Sequence, residues 1–219
     1  MDIGSFMRLL TLVSPIVLLT GVIIGTINIK KNPKIGQLIF GYFIAGLLIE
    51  IASRYWGQVN SAKNNLIFLS VAGIVDFLFF SVLYIWFIFN RKRKWLLFLA
   101  FFTVLLLLYM IYHKVALVPS AFDAYDKVIC DGIIVFYALL SSYDLISRKE
   151  EIRTDIMRIN AVVLLFFSLD LLFSLTTNFL INAGTHFVIY FWILRFVLLT
   201  TLYTTLAYTL WQIGKNRKH

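Results

Sequence analysis

Seven long apolar runs, separated by short polar stretches, account for almost the whole chain. They fall at about residues 6–29, 35–53, 66–89, 95–112, 121–146, 157–181 and 187–213. About twenty helical residues rise about 30 Å, the thickness of a bilayer's hydrocarbon core. The pattern predicts an all-α fold, a polytopic seven-transmembrane-helix bundle forming a single membrane domain over residues 1–219. The first run follows Arg8 and includes Pro15. It exceeds the roughly 7–15 residues of a signal-peptide apolar region, and no small-residue cleavage pattern follows, so it is read as a membrane helix.

Composition supports this reading. The chain is 61% hydrophobic and 14% charged, with a mean hydropathy of +0.88. Ordinary globular chains are about 45–50% apolar and about 25% charged. The net charge of +9 would raise nucleic acid as a partner in a soluble protein, but here the cations sit in short blocks between apolar runs. No nucleic-acid partner is expected. Loops one, three and five and the tail carry Lys30, Lys31, Lys34, Arg91, Lys92, Arg93, Lys94, Arg148, Lys149, Arg153, Arg158, Lys215, Arg217 and Lys218. The other side carries Arg8, Arg54, Lys63, Lys114 and Lys127. The positive-inside rule then puts the N-terminus outside and the C-terminus in the cytoplasm. The expected setting is a cell membrane, as in a bacterial inner membrane, with anionic lipids at the cytoplasmic face. The single cysteine, Cys130, lies in an apolar run and reads as a small packing residue.

Ionisable residues inside the runs are the candidate chemistry. Arg195 stands about 13 Å into the seventh run, counting from His186. A lone cation at that depth is costly unless something anionic or wet meets it. Glu50, Asp76, Asp131 and Asp170 each lie within another apolar run, between the midplane and the outer face. The expectation is that Glu50, Asp76, Asp131, Asp170 and Arg195 converge on one outward-facing ligand or ion pocket. Arg195 would pair with Asp76 or Asp170. These pairs would otherwise serve only to hold helices together.

Other positions carry less. Glu50 and Arg54 are four apart and would pair along one helix face. His113 and His186 are a poor metal signal, and no metal site is expected. Asp144 would be solvated at the cytoplasmic end. Thr200, Thr201, Thr204 and Thr205 would bond back to their own helix. Gly21 with Gly25, and Gly41 with Ala45, have the small-xxx-small spacing of close helix contacts. Ser120–Asp123 reads as a capping box with Asp in place of Glu. The fourth run lacks ionisable side chains other than tyrosine and would be peripheral. Asp76–Tyr84 lies over Arg195–Tyr203 with Phe, Leu and Tyr matched, and Glu50 lies over Asp170. This alignment points to a 3+1+3 repeat.

The architecture is similar to three groups. Microbial rhodopsins hold retinal on a lysine of the seventh helix; this run has none, so no retinal and no other cofactor is expected. G-protein-coupled receptors end helix three with Asp-Arg-Tyr, where this chain has Phe89-Asn90-Arg91. Sugar-efflux and PQ-loop carriers are similar in length, topology and repeat, but their Pro-Gln pairs are absent. The Tyr55, Asn65, Asp76-Phe77 and Tyr84 pattern resembles bacterial seven-helix proteins of uncharacterised activity. The first functional reading is a small-solute or proton-coupled transporter. A sensor acting through a separate protein partner is second, and an intramembrane metal-dependent lipid hydrolase third.

Overall fold

The computed structural model describes residues 3–28, 33–59, 67–89, 93–116, 124–147, 154–182 and 188–216. Side chains are described for all of these but 3–11, 113–116, 154–155, 177–182, 188–189 and 216. Among them the regular structure is helical throughout, in seven helices. They are α1 (Ile3–Ile27), α2 (Lys34–Val59), α3 (Ile67–Val82), α4 (Trp95–Ala116), α5 (Tyr125–Ser147), α6 (Thr154–Asn182) and α7 (Val188–Asn216). α3 continues through a π-helical segment, Leu83–Ile88, which ends as the Phe89 amide donates to the Tyr84 carbonyl at 2.8 Å. Among the described residues six helical stretches are long and apolar enough to cross a membrane, which is consistent with an integral membrane protein. In hydrocarbon every backbone polar group must bond internally, and a helix does this within one segment.

The packing follows chain order in a closed ring. α1 packs on α2, α2 on α3, α3 on α5, α5 on α6, α6 on α7, and α7 on α1. α4 sits outside the ring, touching it chiefly through α5, and presents Phe98, Phe101, Phe102 and Tyr112 outward. Its membrane-length stretch Trp95–Tyr112 carries no Asp, Glu, Lys or Arg, so no charge there needs the interior.

The two small-residue pairs fare differently. A Cβ on Gly21 would run into the ring of Phe43, and one on Gly25 into the ring of Phe40. The α1 pair therefore receives two aromatic rings of α2, and the missing side chains set how closely the helices approach. Gly41 has open space where its Cβ would be, so the Gly41–Ala45 pair makes no such contact through its glycine. Gly46 instead faces Leu18.

Threonines follow expectation. Thr200, Thr201, Thr204 and Thr205 each donate to the carbonyl four residues back, at 2.8–2.9 Å. Thr20, Thr26 and Thr176 do the same on exposed faces, which lets a hydroxyl face lipid without an unmet donor. Cys130 is buried and free. Ser120–Asp123 lies outside the described residues.

Aromatic rings fill the middle of the bundle. Tyr42 stacks on Phe79 at 4.1 Å between centroids, Phe80 meets Phe167 edge-on at 5.0 Å, and Phe166 meets Phe167 at 4.8 Å. Lipid is as apolar as these rings, so their contribution is close packing and dispersion rather than escape from water.

Candidate functional site: a charge cluster beside an open cavity

Asp170 of α6 is enclosed and holds two cations. Arg195 of α7 donates through Nε to Oδ1 at 2.5 Å and through Nη2 to Oδ2 at 3.3 Å. Lys127 of α5 reaches the same Oδ2 at 2.6 Å. Lys127 also lies 2.9 and 3.0 Å from the two carboxylate oxygens of Asp131, one turn along its own helix. The side chains of Lys127 and Asp131 are both 0% exposed. The result is a row of alternating charge: Asp131, Lys127, Asp170, Arg195.

Local sequence explains the geometry. Lys127 and Asp131 are four residues apart, so they share a helix face. Gly73 of α3 lies opposite the lysine stem; a Cβ there would come 3.3 Å from Lys127 Cγ. Glycine thus gives the stem room to run along α3 while its ammonium reaches the acids. On α7, Trp192 is nearly one turn before Arg195, and its ring lies 5.5 Å from the guanidinium carbon. The indole face adds a cation–π contact to the ion pair.

Asp76 is placed differently. Its Oδ1 accepts from the Tyr42 hydroxyl at 2.7 Å. Among the described residues no lysine or arginine forms a salt bridge with it. The Tyr203 ring stands edge-on to Tyr42, 6.1 Å away.

An open cavity of about 430 Å³ lies between α1, α2, α3 and α7, at the end of the bundle where α2 finishes and α3 and α7 begin. Asp76, Arg195 and Glu50 line it, with Tyr42, Trp192, Phe196 and Tyr203 among the aromatic walls. Glu50 is not part of the inner charge row. It accepts from Arg54 Nε at 2.9 Å and Nη2 at 2.6 Å, a half-exposed pair on the cavity wall.

The sequence-predicted residues therefore divide into three groups. Asp170 and Arg195 form the pair expected of them, Asp131 joins them through Lys127, and Asp76 and Glu50 face the cavity. Two readings need correction. Lys127, assigned from sequence to the outer-side positive charge, is a buried member of the cluster. The signal was present in its spacing from Asp131, but its position near the start of the run made it look like a flanking cation. Asp144, expected to be solvated, accepts from Arg93 Nη2 at 2.6 Å and its side chain is 17% exposed. The basic block after α3 thus reaches across to the end of α5.

Among the described residues no group of three or more His, Cys, Asp or Glu is placed to hold a metal ion. His186 lies outside the described residues, as does the side chain of His113. Comparison with protein-family models, curated proteins and solved structures finds no match for the chain.

Proposed function

We propose that this is a membrane carrier that binds a small organic cation in the cavity, at the outer face, and exchanges it for a proton on Asp76. One observation carries the reading: the charge balance around the cavity. Lys127 and Arg195 are matched by Asp131 and Asp170, and Arg54 by Glu50. Among the described residues Asp76 forms no salt bridge and is left with the hydrogen bond from a neutral tyrosine. A carboxylate in a low-dielectric setting needs a cation or a proton, and cannot hold both. That exclusivity couples the two.

The cavity's size and walls support an organic ligand. Pockets for small molecules fall at about 300–1,000 Å³ and are largely apolar with a few polar groups. Tyr42, Trp192, Phe196 and Tyr203 offer aromatic faces suited to a cation. Arg195 also faces the cavity, but its charge is directed onto Asp170. Support for carriage comes from the ring order. α1–α3 supply Asp76 and Tyr42, α5–α7 supply the ion-pair row, and α4 stands apart. This is the disposition a 3+1+3 repeat would give, with the site between its halves.

The test uses the full chain in liposomes with benzyltrimethylammonium, whose permanent charge prevents passive leakage. Saturable uptake coupled to outward proton movement is expected, and Asp76→Asn abolishes it. Uptake that survives Asp76→Asn, or equal uptake of phenylacetate, refutes the proposal. Ligand-dependent thermal stabilisation without flux would replace carriage with sensing.

A further inference from the structure

A second polar cluster lies beyond the phenylalanines, further along α3 and α5 from the charge row. Ser81 of α3 and Tyr137 and Ser141 of α5 are buried, and none of their hydroxyls has a hydrogen-bond partner. The Tyr137 and Ser81 hydroxyls lie close enough to interact weakly, but neither is held in a well-formed hydrogen bond. The Tyr137 ring is 5.9 Å from that of Tyr84. Tyr84 donates to Asn160 Oδ1 at 2.8 Å, and Asn160 Nδ2 donates to Ser142 Oγ at 2.8 Å. Five buried polar side chains and the partly buried Ser142 therefore gather here from α3 and its π-helical continuation, α5 and α6, half of the six unsatisfied.

The backbone is unusual at the same place. The π-helical segment Leu83–Ile88 begins two residues after Ser81 and contains Tyr84. Such segments loosen the regular helical bonding and recur at functional sites. No proline or glycine lies in this stretch to account for it.

The chemistry identifies the occupant. A buried hydroxyl left unpaired is costly, and sites of this kind are completed by water that makes two to four hydrogen bonds. The cluster contains no carboxylate, imidazole or cation, so it suits neither a metal ion nor an anion. We infer that Ser81, Tyr137 and Ser141 bind internal water, and that this hydrated cluster is the closed inner half of a path whose outer half is the cavity. The barrier between the halves is the dry layer of Phe77, Phe80, Ile134 and Phe167, all fully buried. The path rests on the carrier reading; the hydration does not.

Pulsed X-ray hydroxyl-radical footprinting of the purified full chain tests the hydration. Bound water generates radicals in place, so Tyr137 and Tyr84 should label several-fold faster, after correction for intrinsic reactivity, than Phe77, Phe80 and Phe167. Ser141→Ala should slow the labelling of Tyr137 and, with Tyr137→Phe, lower Tm by removing partners of the water. Tyr137 labelled as slowly as the phenylalanines overturns the inference. So does an unchanged or raised Tm in both variants, since deleting an unpaired hydroxyl from a dry core is stabilising. Labelling needs no transported solute. Failed uptake would therefore sink the carrier alone, and a dry Tyr137 would leave the cavity reading intact.

Discussion

Lys127→Met isolates the energetics of the buried charge row. Lys127 Nζ lies 2.9 and 3.0 Å from the oxygens of Asp131 and 2.6 Å from Asp170. Without it Asp170 keeps Arg195, but Asp131 loses its one ion-pair partner among the described residues. Methionine preserves most of the stem that lies against Gly73, so the change is chiefly electrostatic. Removing one member of a buried pair costs about 3–5 kcal/mol, because the other is stranded. At about 2–4 °C per kcal/mol for a chain of this size, Tm should fall by about 10 °C. Adding Asp131→Leu removes the stranded charge and should recover most of the loss, since exchanging a whole buried pair for apolar side chains is neutral or favourable. Thermal unfolding in detergent of wild type, both single variants and the double completes the cycle. Arg54→Gln is the control: its pair with Glu50 has side chains 38% and 28% exposed and is worth at most about 1 kcal/mol. A Lys127→Met variant that costs no more than the control, or a double variant that loses the sum of the singles, would refute a buried, mutually dependent pair.

Other substitutions test separate parts of the fold. Gly21→Leu should destabilise by about 1–3 kcal/mol through collision with Phe43, whereas Gly41→Leu, with open space beside it, should leave Tm within about 1 °C of wild type. Arg195→Lys keeps the charge but loses the two-point contact with Asp170 and the flat contact with Trp192; a loss of about 1.5–3 kcal/mol is expected in the same unfolding assay. Arg93→Gln should cost about 1 kcal/mol or less, because its pair with Asp144 is only partly enclosed.

Much of this architecture was legible in the sequence because lipid imposes a simple rule on length and polarity. The third run, read as 66–89, contains Ile67–Ile88, and the sixth, read as 157–181, lies inside Thr154–Asn182. The second apolar run stops at Ser53, but α2 continues to Val59, carrying Arg54, Tyr55 and Trp56 on its last turns. Aromatic and charged residues there belong to the interface without ending the helix. The pairing of Arg195 with Asp170 followed from a cation needing an anion at its own depth. Lys127 was legible only in its four-residue spacing from Asp131; its place near the start of the run does not reveal that its face turns inward. Gly41 shows the same limit: its spacing from Ala45 matches that of Gly21 and Gly25, but its face meets open space. The π segment gave no sequence signal: Leu83–Ile88 contains no proline or glycine to mark a break in the helical pattern.

Equilibrium binding of radiolabelled benzyltrimethylammonium to the purified protein tests most directly whether Asp76 is the unmatched charge of the cavity. The account predicts one saturable site in the wild type, its loss in Asp76→Asn, and its retention in Glu50→Gln, whose acid is already matched by Arg54. Equal binding by Asp76→Asn and wild type, or displacement of the cation by phenylacetate, would contradict it.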